Sequence, residues 1–213
     1  MNLYSEEPDL GPWQSVPLAD FAAEIPRSGE RTVIAVDGRG GAGKSTLADA
    51  LAAQLPAAEV IHTDDLAWHE PLFGWDHLLR DLFSRIRAGG EVSFTPPAWV
   101  ARGRQGALTV AAETRTVILE GTRSSSTGCQ DLMIWVQSDR DEARRRGLER
   151  DAQEGVNGDA AESAAFWDTW EESEREHLRS HRPWDSADIV VLGTSGLSTP
   201  SGHVSVASAE RAP

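Results

Sequence analysis

The chain has 213 residues, a formal net charge of −14 and 39% hydrophobic residues. That length suits one domain, and the negative charge excludes a nucleic-acid partner, whose phosphates require a basic face. Cys129 is the only cysteine, so no internal disulfide forms; no apolar run approaches the ~20 residues of a membrane span, and the acidic start from Met1 to Glu7 has no apolar signal core. The expectation is a soluble, cytoplasmic protein with no membrane contact.

Residues 1–30 mix Pro, Glu and Ser and read as a loose lead-in with one turn of helix within Leu18 to Ile25. Thr32 to Val36 is the first core strand. Leu47, Leu51 and Leu55 recur four apart and predict the buried side of a helix, stopped by Pro56. Glu59 to His62 is a second strand, closed by Thr63-Asp64-Asp65. Trp75, Leu78, Leu79, Leu82 and Ile86 predict a helix that ends at Gly89-Gly90. Val92 to Pro97, broken by proline, reads as an edge strand or loop, and Arg102-Gly103-Arg104 as a basic turn.

Thr116 to Leu119 is a third strand, closed by Glu120, and Leu132 to Val136 a fourth. Ser138-x-x-Asp141 resembles a capping box and opens a helix through the arginines to about Glu154. A long charged helix carrying Phe166, Trp170 and Leu178 runs to Pro183, and Ile189 to Leu192 is the last strand. Residues 31–193 therefore form the domain, and 194–213, poor in apolar residues, read as a disordered tail. Continuously apolar strands separated by helices predict a doubly wound α/β domain with a five-stranded parallel sheet. Its ligands would sit outside the carboxyl ends of the strands.

Gly38-Arg39-Gly40-Gly41-Ala42-Gly43-Lys44-Ser45 fits G-x-x-x-x-G-K-[ST], the phosphate-cradling P-loop, between a strand and a helix. Its glycines let backbone N–H groups converge on an anion, and the helix beginning near Gly43 adds its positive end. Lys44 would reach the β- and γ-phosphates, and the Ser45 hydroxyl would ligate Mg²⁺. Asp64 and Asp65 lie at a strand end, where a carboxylate can take the proton of an attacking hydroxyl; Asp65 is also a candidate metal ligand. Glu120 is placed to hold a water on Mg²⁺. Arg146 and Arg150 share one helix face and suit the charge on a moving phosphoryl group, whereas Arg144 and Arg145 read as paired with neighbouring acids. His177 and His181, four apart without the glutamate of H-E-x-x-H, read as a solvated face rather than a zinc site. Among eight tryptophans, Trp75 and Trp170 read as core, and Trp68 and Trp99 as candidates to stack on a ring-bearing substrate.

Four stretches carry a resemblance to the uridine kinase-like branch of P-loop kinases: Asp37 through Thr46, His62 through Leu66, Val117 through Gly121, and Asp131 through Asp151. The resemblance spans about residues 32–192 and extends to Trp167-x-x-Trp170-Glu171 and Ala187 to Val191. It implies sheet order 2-3-1-4-5, an arginine-bearing lid around 140–156, phosphate contacts along Gly38 to Thr46, and Asp64 rather than Asp65 as the base. Two motifs depart from it. The lid pattern R-R-x-x-R-D reads Arg146-Gly147-Leu148-Glu149-Arg150-Asp151, with one arginine missing. In the substrate segment Thr95 to Trp99, Ala98 stands where an acid is expected.

The expected activity is transfer of the γ-phosphoryl group of ATP, with Mg²⁺, to an alcohol of a nucleoside-like or other small molecule. The alternatives are a nucleotide-binding module or slow NTPase without a metabolite acceptor, and a shikimate- or gluconate-type kinase with Arg102, Arg104 or Arg80 in its acceptor pocket.

Overall fold

The computed structural model describes residues 1–27, 29–193 and 201–207. In chain order these form β1 (Trp13–Pro17), α1 (Leu18–Ala23), β2 (Thr32–Gly38), α2 (Lys44–Ala52), β3 (Ala58–His62), α3 (Thr63–Ala67) and α4 (Asp76–Ala88). There follow β4 (Val92–Phe94), α5 (Pro97–Ala101), β5 (Leu108–Val110), β6 (Thr116–Glu120), β7 (Leu132–Gln137), α6 (Arg140–Glu154), α7 (Ala160–His181), β8 (Ile189–Leu192) and β9 (His203–Ala207).

Five apolar strands pair in parallel in the spatial order β3-β6-β2-β7-β8. β2, β6 and β7 are buried along their whole length because both faces are covered, whereas β3, at the sheet edge, carries Glu59 and His62 and is mostly half-buried. Ile34, Val36, Ile118, Ile134 and Val136 pack against Phe21 of α1 and Leu47 and Leu51 of α2. Val33, Val117 and Leu119 meet the other layer, where Leu78, Leu79, Leu82, Phe83 and Ile86 of α4 are all buried. Burying each such side chain contributes about 1.5–3 kcal/mol. Met133 and Trp135 of β7 face a third cluster with Tyr4, Leu178 and Trp184.

The ends of the chain depart from expectation. Residues 1–30 are not a loose lead-in: β1 and α1 lie there, and Tyr4, Glu7, Phe21 and Ile25 are buried. Residues 203–207 of the expected tail form β9, which pairs antiparallel with both β8 and β1 and widens the sheet to seven strands. The alternation His203-Val204-Ser205-Val206-Ala207 is a short strand pattern, and its pairing partner lies at the far end of the sequence. The rest of that tail, 194–200 and 208–213, lies outside the described residues.

Val92–Phe94 pairs antiparallel with Leu108–Val110 in a separate two-stranded sheet, and Val92, Phe94, Leu108 and Val110 are buried against the α4 layer. Asp139, not Ser138, caps α6, accepting the N–H groups of Asp141 and Glu142 at 3.0 and 3.1 Å. Ser138 is buried one residue earlier, so the expected box is out of register by one. A capping box does open α7, from Asp159 to Glu162.

Candidate active site

The loop from Gly38 to Gly43 joins the carboxyl end of β2 to the first turn of α2. Gly41 has φ 73°, and a Cβ there would overlap the Ala143 carbonyl of α6, so only glycine fits. Lys44 opens α2, and its Nζ donates to the Arg39 carbonyl at 2.8 Å and to Thr122 Oγ1 at 3.5 Å. Gly40 N–H donates to the buried Glu174 carboxylate of α7 at 2.7 Å, and Trp170 Nε1 donates to the same oxygen at 3.1 Å.

Above this loop opens a cavity of about 790 Å³. Of the expected phosphate-loop residues, Gly40, Gly41, Gly43, Lys44, Ser45 and Thr46 line it. Gly38, Arg39 and Ala42 do not. Arg39 is a correction: its side chain is buried on the far side, paired with Glu7 under the Tyr4 ring at 5.0 Å. A buried guanidinium needs a carboxylate partner, and the N-terminal segment supplies one.

Ser45 Oγ donates to Glu120 Oε1 at 3.1 Å, and His62 Nδ1 lies 2.6 Å from the same oxygen. Glu120 Oε2 is buried without a partner. Burial opposes the charge of Glu120, but the His62 hydrogen bond and the Lys44 charge outweigh it and hold the carboxyl below the usual range. An ionised carboxylate with one free oxygen beside a serine hydroxyl fits a hydrated Mg²⁺.

Asp64 and Asp65 stand in the first turn of α3 rather than in the strand, and they diverge. Asp64 opens into the cavity within a ring of protein. That enclosure pushes its carboxyl up; the Glu120 charge adds to the shift and the Lys44 charge opposes it. Asp65 is corrected as a metal ligand: it faces away and pairs with Arg104 at 2.5 Å.

Arg146 and Arg150 of α6 both line the cavity. Arg146 binds Glu142 at 3.0 Å and the Gly193 carbonyl at 2.7 Å, and Arg150 pairs with Asp151 at 2.9 Å. Arg144 pairs with Asp168 and Glu171, and Arg145 with Glu142 and Glu149. Trp68 lines the cavity, as do Trp75 and Trp170. Trp99 and Arg102 are corrections. Trp99 is 4% exposed, donates Nε1 to the Asp65 carbonyl at 2.9 Å, and stacks under Arg104 at 3.6 Å. Arg102 is exposed at the end of α5, outside the cavity, and Ala98 lies on α5, also outside its lining.

No family model matches the chain, and no curated protein matches it in sequence. Among solved structures it is similar to a protein described provisionally as a fructose transport system kinase from Silicibacter sp. TM1040. The TM-score is 0.52 and the identity 25%, over 70% of this chain and 88% of that one. A possible uridine kinase from Bacillus stearothermophilus gives a TM-score of 0.53 at 17% identity, over 81% and 94% of the two chains. The protein YGR205w gives 0.53 at 11% identity, over 85% and 91%. The chain has the fold of the uridine kinase-like P-loop kinases.

Within this uridine kinase-like fold the lid departure has a steric cause. A Cβ at Gly147 would overlap the Trp167 ring, so the position of the missing arginine is filled by a tryptophan from α7. Trp167 Nε1 in turn donates to Asp151 at 2.8 Å, tying α6 to α7. Several site residues escape sequence reasoning: His62, Thr122, Glu174 and Asp151 each touch the loop, Glu120 or the arginines. Glu174 carries the one usable signal, standing four residues after Trp170 and seven after Trp167 on the same helix face. His177 is buried rather than solvated: its Nδ1 lies 2.8 Å from Arg123, and burial, aided by the Arg123 charge, drives its pKa down to about 3.

Proposed function

We propose that the chain is an ATP-dependent small-molecule kinase that transfers the γ-phosphoryl group to an alcohol. The observation that carries this reading is the convergence of Lys44, Ser45, Asp64, Glu120, Arg146 and Arg150 on one cavity. Phosphoryl transfer asks the protein mainly for positioning and charge stabilisation, and these residue types supply both.

In this mechanism the acceptor hydroxyl stands against Asp64, which takes its proton as the oxygen bonds to the γ-phosphorus. The bond from that phosphorus to the bridging oxygen breaks on the opposite side, leaving ADP. Lys44 turns from the Arg39 carbonyl to the phosphates, and Arg146 and Arg150 close on the charge of the moving group. Ser45 and Glu120 would hold Mg²⁺, which would neutralise charge on the phosphate oxygens when bound.

A second reading is a nucleotide-binding module or slow NTPase without a metabolite acceptor. It draws support from the internal satisfaction of Lys44 by the Arg39 carbonyl and of Gly40 by Glu174. The shikimate- or gluconate-type reading requires an arginine in the acceptor half, and Arg80, Arg102 and Arg104 all lie outside the cavity lining.

ADP release measured with Mg²⁺-ATP across a panel of alcohols tests the proposal. Acceptor-dependent ADP formation, lost in Lys44→Ala, supports it. ADP release that no alcohol raises above background favours the second reading, and failure to bind Mg²⁺-nucleotide at millimolar concentration defeats both.

A further inference from the structure

The edge strand β3 ends beside β6, and in their parallel register His62 stands opposite Glu120. His62 Nδ1 lies 2.6 Å from Glu120 Oε1, too close for two lone pairs, so a proton lies between them. The hydrogen bonds from His62 and Ser45 and the charge of Lys44 keep Glu120 ionised. Nδ1 therefore carries that proton, in the neutral ring as in the charged one.

His62 is 45% exposed and lies outside the cavity lining, and its one hydrogen bond among the described residues is to Glu120. An ion pair this exposed adds little to the stability of the fold. What it fixes is orientation. Oε1 of Glu120 is taken by two donors, His62 Nδ1 and Ser45 Oγ, which leaves Oε2 as the free acceptor, buried and without a partner. The Ser45 hydroxyl, its proton committed to Oε1, keeps its lone pairs free. Glu120 and Ser45 both line the cavity, and oxygens of this kind hold hard divalent cations directly or through water.

We infer that His62 is a positioning residue for the divalent-cation site. By donating Nδ1–H to Glu120 Oε1, it keeps Oε2 and the Ser45 lone pairs ready for the Mg²⁺ of an incoming nucleotide. It acts through Glu120 and not on the cation itself. Partners of this kind orient the groups that hold a metal and tune its affinity. The inference deepens the kinase reading and rests on it only for the Mg²⁺-nucleotide, not for transfer to an alcohol.

Calorimetric binding of adenylyl imidodiphosphate to the full chain, with Mg²⁺ and with EDTA, tests this without turnover. His62→Ala should weaken binding about tenfold with Mg²⁺, the lower end of the loss when such a partner is removed. With EDTA the same variant should bind within about twofold of the wild type, because the phosphate loop and Lys44 are untouched. His62→Asn, whose side-chain N–H can replace Nδ1–H, should recover binding with Mg²⁺ to within about threefold. Equal weakening with Mg²⁺ and with EDTA would reveal a structural role and overturn the inference. So would undiminished binding in His62→Ala, an asparagine variant no better than alanine, or wild-type binding that Mg²⁺ does not strengthen. ADP release that no alcohol raises defeats the kinase reading and leaves the His62 result standing, whereas a chain that binds no nucleotide under either condition defeats both.

Discussion

The Glu174 carboxylate, 3% exposed on α7, accepts the N–H of Gly40 in the phosphate loop at 2.7 Å. Burial pushes this carboxyl up, against the Gly40 hydrogen bond and the charges of Arg39 and Lys44. A carboxyl raised in the folded state binds more protons there than in the unfolded chain. Its contribution is therefore fully favourable below the unfolded pKa and is lost as pH rises through the folded one. Glu174→Gln keeps a carbonyl oxygen for Gly40 and removes the charge. The variant should match the wild type in melting temperature near pH 4 and exceed it at pH 8. A variant that melts lower at pH 8 would show that the ionised form is the stabilising one.

Asp64 carries the same kind of upward shift, in the cavity itself. As a base it must be ionised, so kcat/KM should rise with pH through an acid limb lying above the ordinary carboxylate range. Asp64→Asn should lower kcat by about 10²–10⁴ and remove that limb. Full acceptor-dependent activity in the variant would take Asp64 out of the transfer step.

In the proposed transfer, Lys44 supplies a positive charge to the phosphates. Lys44→Ala should lower kcat by about 10²–10³, the scale of losing one preorganised donor to a charged transition state. Circular dichroism should show the fold intact, because the bonds lost are the single-donor contacts to Arg39 and Thr122.

Restoring the family lid by Gly147→Arg should destabilise rather than activate, because Trp167 occupies the space. Overpacking of this kind costs about 1–3 kcal/mol, readable as a drop in denaturant midpoint. Adding Trp167→Ala should recover part of it, giving a non-additive cycle. Additive losses would mean that the ring and the new side chain do not compete.

Glu7 and Arg39 form an ion pair with both side chains essentially buried. Glu7→Ala strands the guanidinium and should cost about 3–5 kcal/mol in denaturant unfolding. A loss under about 1 kcal/mol would place the pair among surface bridges instead.

The five core strands and the phosphate loop are legible because their signals are local: apolar runs of the right length, and glycines at fixed spacing before a lysine. Glu7 and Arg39 are illegible for the opposite reason. Each is a charged residue of the kind that usually faces water, and only the pairing of segments far apart in sequence buries them together. Trp99 fails similarly, since an indole before a basic turn looks the same whether it meets a ligand or a backbone carbonyl. Asp64 and Asp65 are separable only once α3 is seen to begin at Thr63, turning one carboxylate to the cavity and the other to Arg104. Glu174 sits in a helix dense with acids, and only its helical spacing from Trp167 and Trp170 sets it apart from Glu171 and Glu172.

β1 lies against β9, register Trp13 to Ala207, so the outer edge of the sheet joins two segments from opposite ends of the described chain. During synthesis β1 emerges first and has no strand to pair with until β9 has been made. The rest of the sheet, phosphate loop included, can assemble in the meantime. The outer edge closes last, and a ribosome-stalled chain ending before His203 should hold the nucleotide loop while β1 remains open to protease.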